Sequence, residues 1–90
     1  MSTIHLLIKG KVQGVFYRGS AKEQADRLSI TGWVKNTPEG HVEITATGET
    51  PALQRFIAWC RQGPPNAVVT DLVSHPLPDA LFTGFTILRG

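Results

Sequence analysis

Cysteine is nearly absent from this chain. Cys60 is the single one in 90 residues, which excludes an intrachain disulfide and any CxxC metal or redox site and fits a reducing cytoplasm. No apolar run approaches the ~20 residues that span a bilayer, so no membrane role is expected. Met1 to Lys9 also lacks the basic start and small-residue cleavage site of a signal peptide. Aromatic residues are few, 8% of the chain, and the predicted strand from His41 to Thr47 has none. That argues against RNA binding by stacking on a sheet. His5, His41 and His75 fall on different predicted strands without ligand spacing, so they read as surface or edge histidines and no metal is expected.

Acidic residues are missing where basic ones gather. Met1 to Lys35 holds six Lys and Arg against Glu23 and Asp26, a net of +4, and the stretch from Lys9 to Lys22 has no acid at all. This suggests a local anion site but is too small for a nucleic-acid track. With 41% hydrophobic and 18% charged residues the chain reads as folded, and its length suits one domain over residues 1–90.

Periodicity supplies the elements. Ile4, Leu6 and Ile8 alternate, and Leu7 makes the other face partly apolar, as in a central strand. Ala21, Ala25 and Leu28 form a helical stripe within about Arg18 to Ser29. Ser20 with Glu23 would be a capping box starting that helix at Ser20, or the start lies two residues earlier, and Gly32 would stop it. Trp33 to Asn36 is β-like, Thr37-Pro38-Glu39-Gly40 suits a type I turn, and Val42, Ile44 and Ala46 alternate with Glu43, Thr45 and Thr47 as a half-exposed strand. Thr50 as N-cap and Pro51 open a second helix, whose stripe is Leu53, Phe56, Ile57 and Cys60, and Gly63-Pro64-Pro65 closes it. Ala67 to Val73 is a strand with a phase shift between Val69 and Leu72 that suggests a bulge, broken by Pro76 and Pro78. Phe85 and Ile87 make a last strand, with Phe82 as a candidate third member. The order predicts an α+β, ferredoxin-like βαββαβ fold with an additional C-terminal strand, two helices lying on one face of a mostly antiparallel sheet.

One segment is suited to chemistry. Gly10-Lys11-Val12-Gln13-Gly14-Val15-Phe16-Tyr17-Arg18 runs between a strand and a helix start. Such a loop points backbone N–H groups at one spot, where the helix dipole favours an anion, and an arginine fork matches phosphate geometry. It is neither a Walker loop nor a GxGxxG fingerprint. The residues alone leave a second reading open, a tight turn whose Arg18 pairs on the surface. Asn36 likewise is either a plain turn residue or an amide that holds a water in a set direction. Tyr17 either lines this site or packs. Cys60, Trp33 and Trp59 read as packing residues.

The stretch GKVQGVFYR, Gly10 to Arg18, resembles the first signature of the acylphosphatase family, and Gly32-Trp33-Val34-Lys35-Asn36-Thr37-Pro38-Glu39-Gly40-His41-Val42-Glu43-Ile44 resembles the second, with matching spacing. Gly63-Pro64-Pro65 and Phe82-Thr83-Gly84-Phe85 are similar to later landmarks, so the resemblance covers nearly the whole chain. It implies a ferredoxin-like fold and metal-independent, cofactor-free hydrolysis of small acyl phosphates to a carboxylate and inorganic phosphate. It carries phosphate binding to Arg18 and to backbone N–H groups of Gln13, Gly14, Val15, Phe16, Tyr17 and Arg18, and water orientation to Asn36. A carboxylate leaves readily, so a site without an Asp, Glu or His beside the loop suffices. A substrate phosphate oxygen could then accept the water's proton. The expected setting is a cytoplasmic monomer without nucleic-acid partners. The alternative is a non-catalytic phosphate- or carbamoyl-phosphate-binding module using the same cradle.

Overall fold

The computed structural model describes residues 1–89. In chain order the elements are β1 (Ser2–Lys11), α1 (Tyr17–Arg27), β2 (Thr31–Asn36), β3 (Val42–Gly48), α2 (Thr50–Gln62), β4 (Val68–Leu77) and β5 (Phe85–Ile87). One sheet holds the strands in the order β4-β1-β3-β2-β5. β1 runs antiparallel to β3 and β4, and β2 antiparallel to β3, while β5 lies parallel to β2. This is the expected ferredoxin-like arrangement with its extra strand. The core forms where Leu6, Ile8, Val34, Ile44 and Ala46 of the sheet meet Ala21 and Ala25 of α1 and Leu53, Phe56 and Cys60 of α2. The alanines let α1 sit close over the sheet, which brings its N-terminus near the ends of β2 and β5.

Local expectations differ from the structure in instructive places. No capping box starts α1. Phe16 occupies the N-cap in a left-handed conformation, φ 64°, with no side-chain cap. Its carbonyl accepts the Ser20 N–H at 3.1 Å, so Ser20 already sits a turn inside the helix. At the other end Ser29, φ 58°, closes the helix as Ile30 N–H bonds back to the Ala25 carbonyl at 2.8 Å. Gly32 is therefore no stop signal. It lies inside β2 at φ +138°, where any Cβ would overlap the Thr45 carbonyl.

The turn Thr37 to Gly40 closes as expected, with Gly40 N–H donating to the Thr37 carbonyl at 3.1 Å. β3 is not half-exposed, since Thr45 and Thr47 are 6% and 3% accessible. The segment after β4 folds back, and Ala80 takes the Thr47 hydroxyl on its carbonyl at 2.8 Å and donates its N–H to Thr3 Oγ1 at 2.9 Å. The two hydroxyls lie 2.7 Å apart, so the group is satisfied internally and its burial costs little.

α2 starts one residue early, with Glu49 at the N-cap and Thr50 already helical, because Leu53 N–H bonds to the Glu49 carbonyl at 2.9 Å. β4 continues through Pro76 to Leu77. It is an edge strand, and proline is tolerated where the missing N–H would face solvent. The anticipated bulge is present: Lys9 pairs with Asp71 but Gly10 with Val69, leaving Thr70 as the extra residue. Phe82 lies outside β5.

Candidate functional site

Five residues separate β1 from α1, and the chain turns sharply there because Gly14 has φ +75° and Phe16 φ +64°. The first N–H groups of a helix have no acceptor in their own helix. Here those of Tyr17, Arg18 and Gly19 face the loop, and Ser20 is the first residue bonded back, to Phe16. A left-handed non-glycine residue costs roughly 1–2 kcal/mol, so the rest of the fold must hold the turn in place.

Two side chains do so. The Gln13 amide donates to the Thr37 carbonyl at 3.0 Å and the His41 carbonyl at 2.9 Å, tying the loop to the turn that follows Asn36. Tyr17 is 1% accessible and packs on Trp59 with ring centroids 5.3 Å apart. Its hydroxyl donates to the Cys60 carbonyl at 2.6 Å. That carbonyl belongs to the last turn of α2, and the residue four further on is Pro64, which has no N–H to offer. Tyr17 thus supplies the donor that α2 lacks and fixes the start of α1. Burial, with Cys60 beside it, raises the Tyr17 phenol above its ordinary value. Burial likewise pushes the Cys60 thiol up to about 12, with the Tyr17 hydroxyl opposing the rise, so Cys60 is the core residue its helical stripe implied.

Between the loop, the α1 N-terminus and the ends of β2 and β5 lies a cleft of about 340 Å³. Of the residues expected at the site, Gly14, Phe16, Tyr17, Arg18 and Asn36 line it. The side chains of Gln13 and Val15 do not. Gln13 holds the neighbouring turn, and Val15 packs against the core. The Asn36 Oδ1 is buried and makes no hydrogen bond to another protein group among the described residues. An unsatisfied buried acceptor costs about 1–3 kcal/mol, and in native structures such an atom calls for a reason, of which a role at a reacting centre is one.

Four further residues complete the lining: Val12, Gly19, Ile87 and Arg89. Gly19 matters by what it lacks, since a Cβ there would overlap the ring of Phe16, which is 67% accessible at the cleft mouth. Arg89 has no local signal in the sequence, because its position depends on β5 pairing with β2, a long-range contact that periodicity does not reveal. Among the described residues no side-chain carboxylate, imidazole or thiol lines the cleft. Elsewhere His5 bonds Glu43 at 2.7 Å and faces His75 across β1 and β4. Among the described residues no three His, Cys, Asp or Glu side chains gather as a metal would need.

Comparison with known proteins gives a consistent result. The family model for acylphosphatase matches residues 4–87. The chain is 47% identical to an acylphosphatase of Methylococcus capsulatus over 99% of this chain and 98% of that one. It is 50% identical to an acylphosphatase of Gloeobacter violaceus over 94% and 91%. The crystal structure of an acylphosphatase from Bacillus subtilis superposes with a TM-score of 0.95 at 34% identity, covering 99% of this chain and 100% of the other.

Proposed function

The chain belongs to the acylphosphatase family and is a hydrolase of acyl phosphates, and we propose that Arg18 with the β1–α1 loop binds the phosphoryl group while Asn36 aims the attacking water. The observation that carries this reading is the unpaired, buried Asn36 Oδ1 in the same cleft as Arg18 and the N-terminus of α1.

The chemistry follows from the donor set. A phosphoryl dianion settles on the free N–H groups of the loop and first helical turn, where the helix dipole favours negative charge. The Arg18 guanidinium offers a planar pair of donors to two of its oxygens. A water that donates one hydrogen to Asn36 Oδ1 has its lone pair free to face phosphorus. Attack forms the new P–O bond as the bond to the acyl oxygen breaks, and the electron pair leaves with the carboxylate. The water's proton passes to a phosphoryl oxygen of the substrate, so the protein need not supply a base. Charge stabilisation and positioning then provide the acceleration. On this reading residues 1–90 act as a single domain, monomeric and cytoplasmic, without a cofactor.

Benzoyl phosphate hydrolysis by the purified protein tests the roles. Arg18→Ala should lower kcat/KM by roughly a hundred- to a thousandfold, the usual loss for one preorganised donor to developing charge. Arg18→Lys should recover little, because an ammonium does not reproduce the fork. A lysine variant close to wild type would remove Arg18 from the assigned role. Phosphate binding without any turnover would instead favour a non-catalytic binding module.

A further inference from the structure

The cleft has a second cation whose place is set by the edge of the sheet. β5 lies parallel to β2 with Gly32 opposite Phe85 and Val34 opposite Ile87. The pairing runs on past the strand, since Leu88 N–H donates to the Val34 carbonyl at 2.8 Å. Side chains alternate along paired strands, so the next residues on the face of Val34 and Ile87 are Asn36 and Arg89. Both line the cleft. The loop reaches the cleft from β1, on the inner side of β2, whereas Arg89 comes from β5 on the outer side. Arg18, in the first turn of α1, and Arg89, two residues past β5, therefore approach from different elements, with Asn36 at the end of β2.

Two guanidiniums share this cleft, and no Asp or Glu side chain among the described residues lines it. Neither arginine forms an ion pair with an Asp or Glu side chain among the described residues. Like charges converging on a cleft repel one another unless an anion lies between them. A phosphoryl dianion carries two negative charges, and Arg18 balances one.

We propose that Arg89 is a second cationic ligand of the phosphoryl group, gripping it from the β5 side. The proposal rests on the reading above that this cleft takes a phosphoryl group. The phosphoryl group is anionic in the free substrate, in the transition state and in the product phosphate. Arg89 therefore strengthens all three alike, an effect that appears in KM rather than in kcat. Its side chain is exposed, so its attraction is screened by salt.

The test compares Arg89→Gln and Arg89→Lys with wild type, measuring KM and kcat for benzoyl phosphate and the inhibition constant of inorganic phosphate. Arg89→Gln should raise KM and the phosphate inhibition constant by the same factor, roughly three- to tenfold at low ionic strength, with kcat kept. The factor should shrink toward unity at about 0.5 M salt, where the Debye length falls to a few ångströms. Arg89→Lys should restore most of the loss. An unchanged inhibition constant overturns the proposal, whether KM stays put (a solvated arginine) or rises alone (a contact with the acyl end). A fall in kcat alone overturns it too. Arg18→Ala in the same assay separates the two levels. If it abolishes phosphate competition while Arg89→Gln does not weaken it, the second ligand is wrong and the cleft stands. If neither variant affects competition, the cleft reading itself fails.

Discussion

Replacing Tyr17 by phenylalanine removes one oxygen atom and keeps the ring against Trp59. What it takes away is the 2.6 Å hydrogen bond to the Cys60 carbonyl. That carbonyl lies at the end of α2, where the helix breaks at Gly63 and Pro64 brings no N–H. At a site where Tyr17 is 1% accessible, solvent does not replace the lost donor. The variant is left with an unsatisfied buried acceptor, worth about 1–3 kcal/mol. For a domain of this size each kcal/mol moves the thermal midpoint by roughly 4–8 °C, so a fall of about 4 to 24 °C is expected. Urea unfolding should show a lower midpoint with an unchanged slope, because the surface exposed on unfolding stays the same. The start of α1 should loosen with it, and phosphate inhibition should weaken modestly although no ligand contact has been deleted. A Tyr17→Phe protein as stable as wild type would mean that the carbonyl finds another donor and that Tyr17 is not the clamp described.

Activity should survive prolonged EDTA treatment, since among the described residues the cleft lining offers no side-chain carboxylate, imidazole or thiolate to a metal. Activity lost on chelation and restored by a divalent ion would refute that. Cys60 should react with a thiol reagent only once the protein is unfolded, because burial holds its thiol neutral, up to about 12. The same shift has a sign in stability. The unfolded chain loses the thiol proton near ~8.5 and the folded chain does not, so the contribution is complete below that pH and declines as pH rises toward 12. Stability of wild type relative to Cys60→Ala, followed from pH 7 upward by urea titration, should fall with pH, and a constant difference would contradict the burial argument.

The parts of the site that could be read from the sequence are the local ones. Gly10 to Arg18 lies between a strand and a helix whose hydrophobic periods are clear, and Asn36 ends a short β-like stretch just before the Thr37 to Gly40 turn, so both places follow from short-range pattern alone. Arg89 was invisible because β5 pairs with β2 across half the chain, and no local signal says that a terminal strand will lie parallel to the second one. Ser20 misled for the opposite reason. It carries the composition of a capping box, but Phe16 adopts the left-handed conformation and starts the helix a turn earlier. Thr45 and Thr47 show the same limit, since their alternation reads as solvent-facing until Ala80 folds over the sheet and bonds Thr47. Gln13 lay within the expected loop, yet its side chain turned out to hold the Thr37 to His41 turn rather than face the cleft.

The central claim is that Asn36 serves the water and not the phosphate, and Asn36→Ala tests it most directly. Because Oδ1 has no protein partner among the described residues, its removal breaks no hydrogen bond of the fold and relieves a buried acceptor. The thermal midpoint should therefore hold or rise. The inhibition constant of inorganic phosphate should stay at the wild-type value, since Arg18 and the loop amides remain. With the water free to take unproductive directions, kcat for benzoyl phosphate should drop by roughly a hundredfold or more, and kcat/KM with it. A folded Asn36→Ala enzyme that keeps its full kcat would contradict the account, and the water would have to be held by another group.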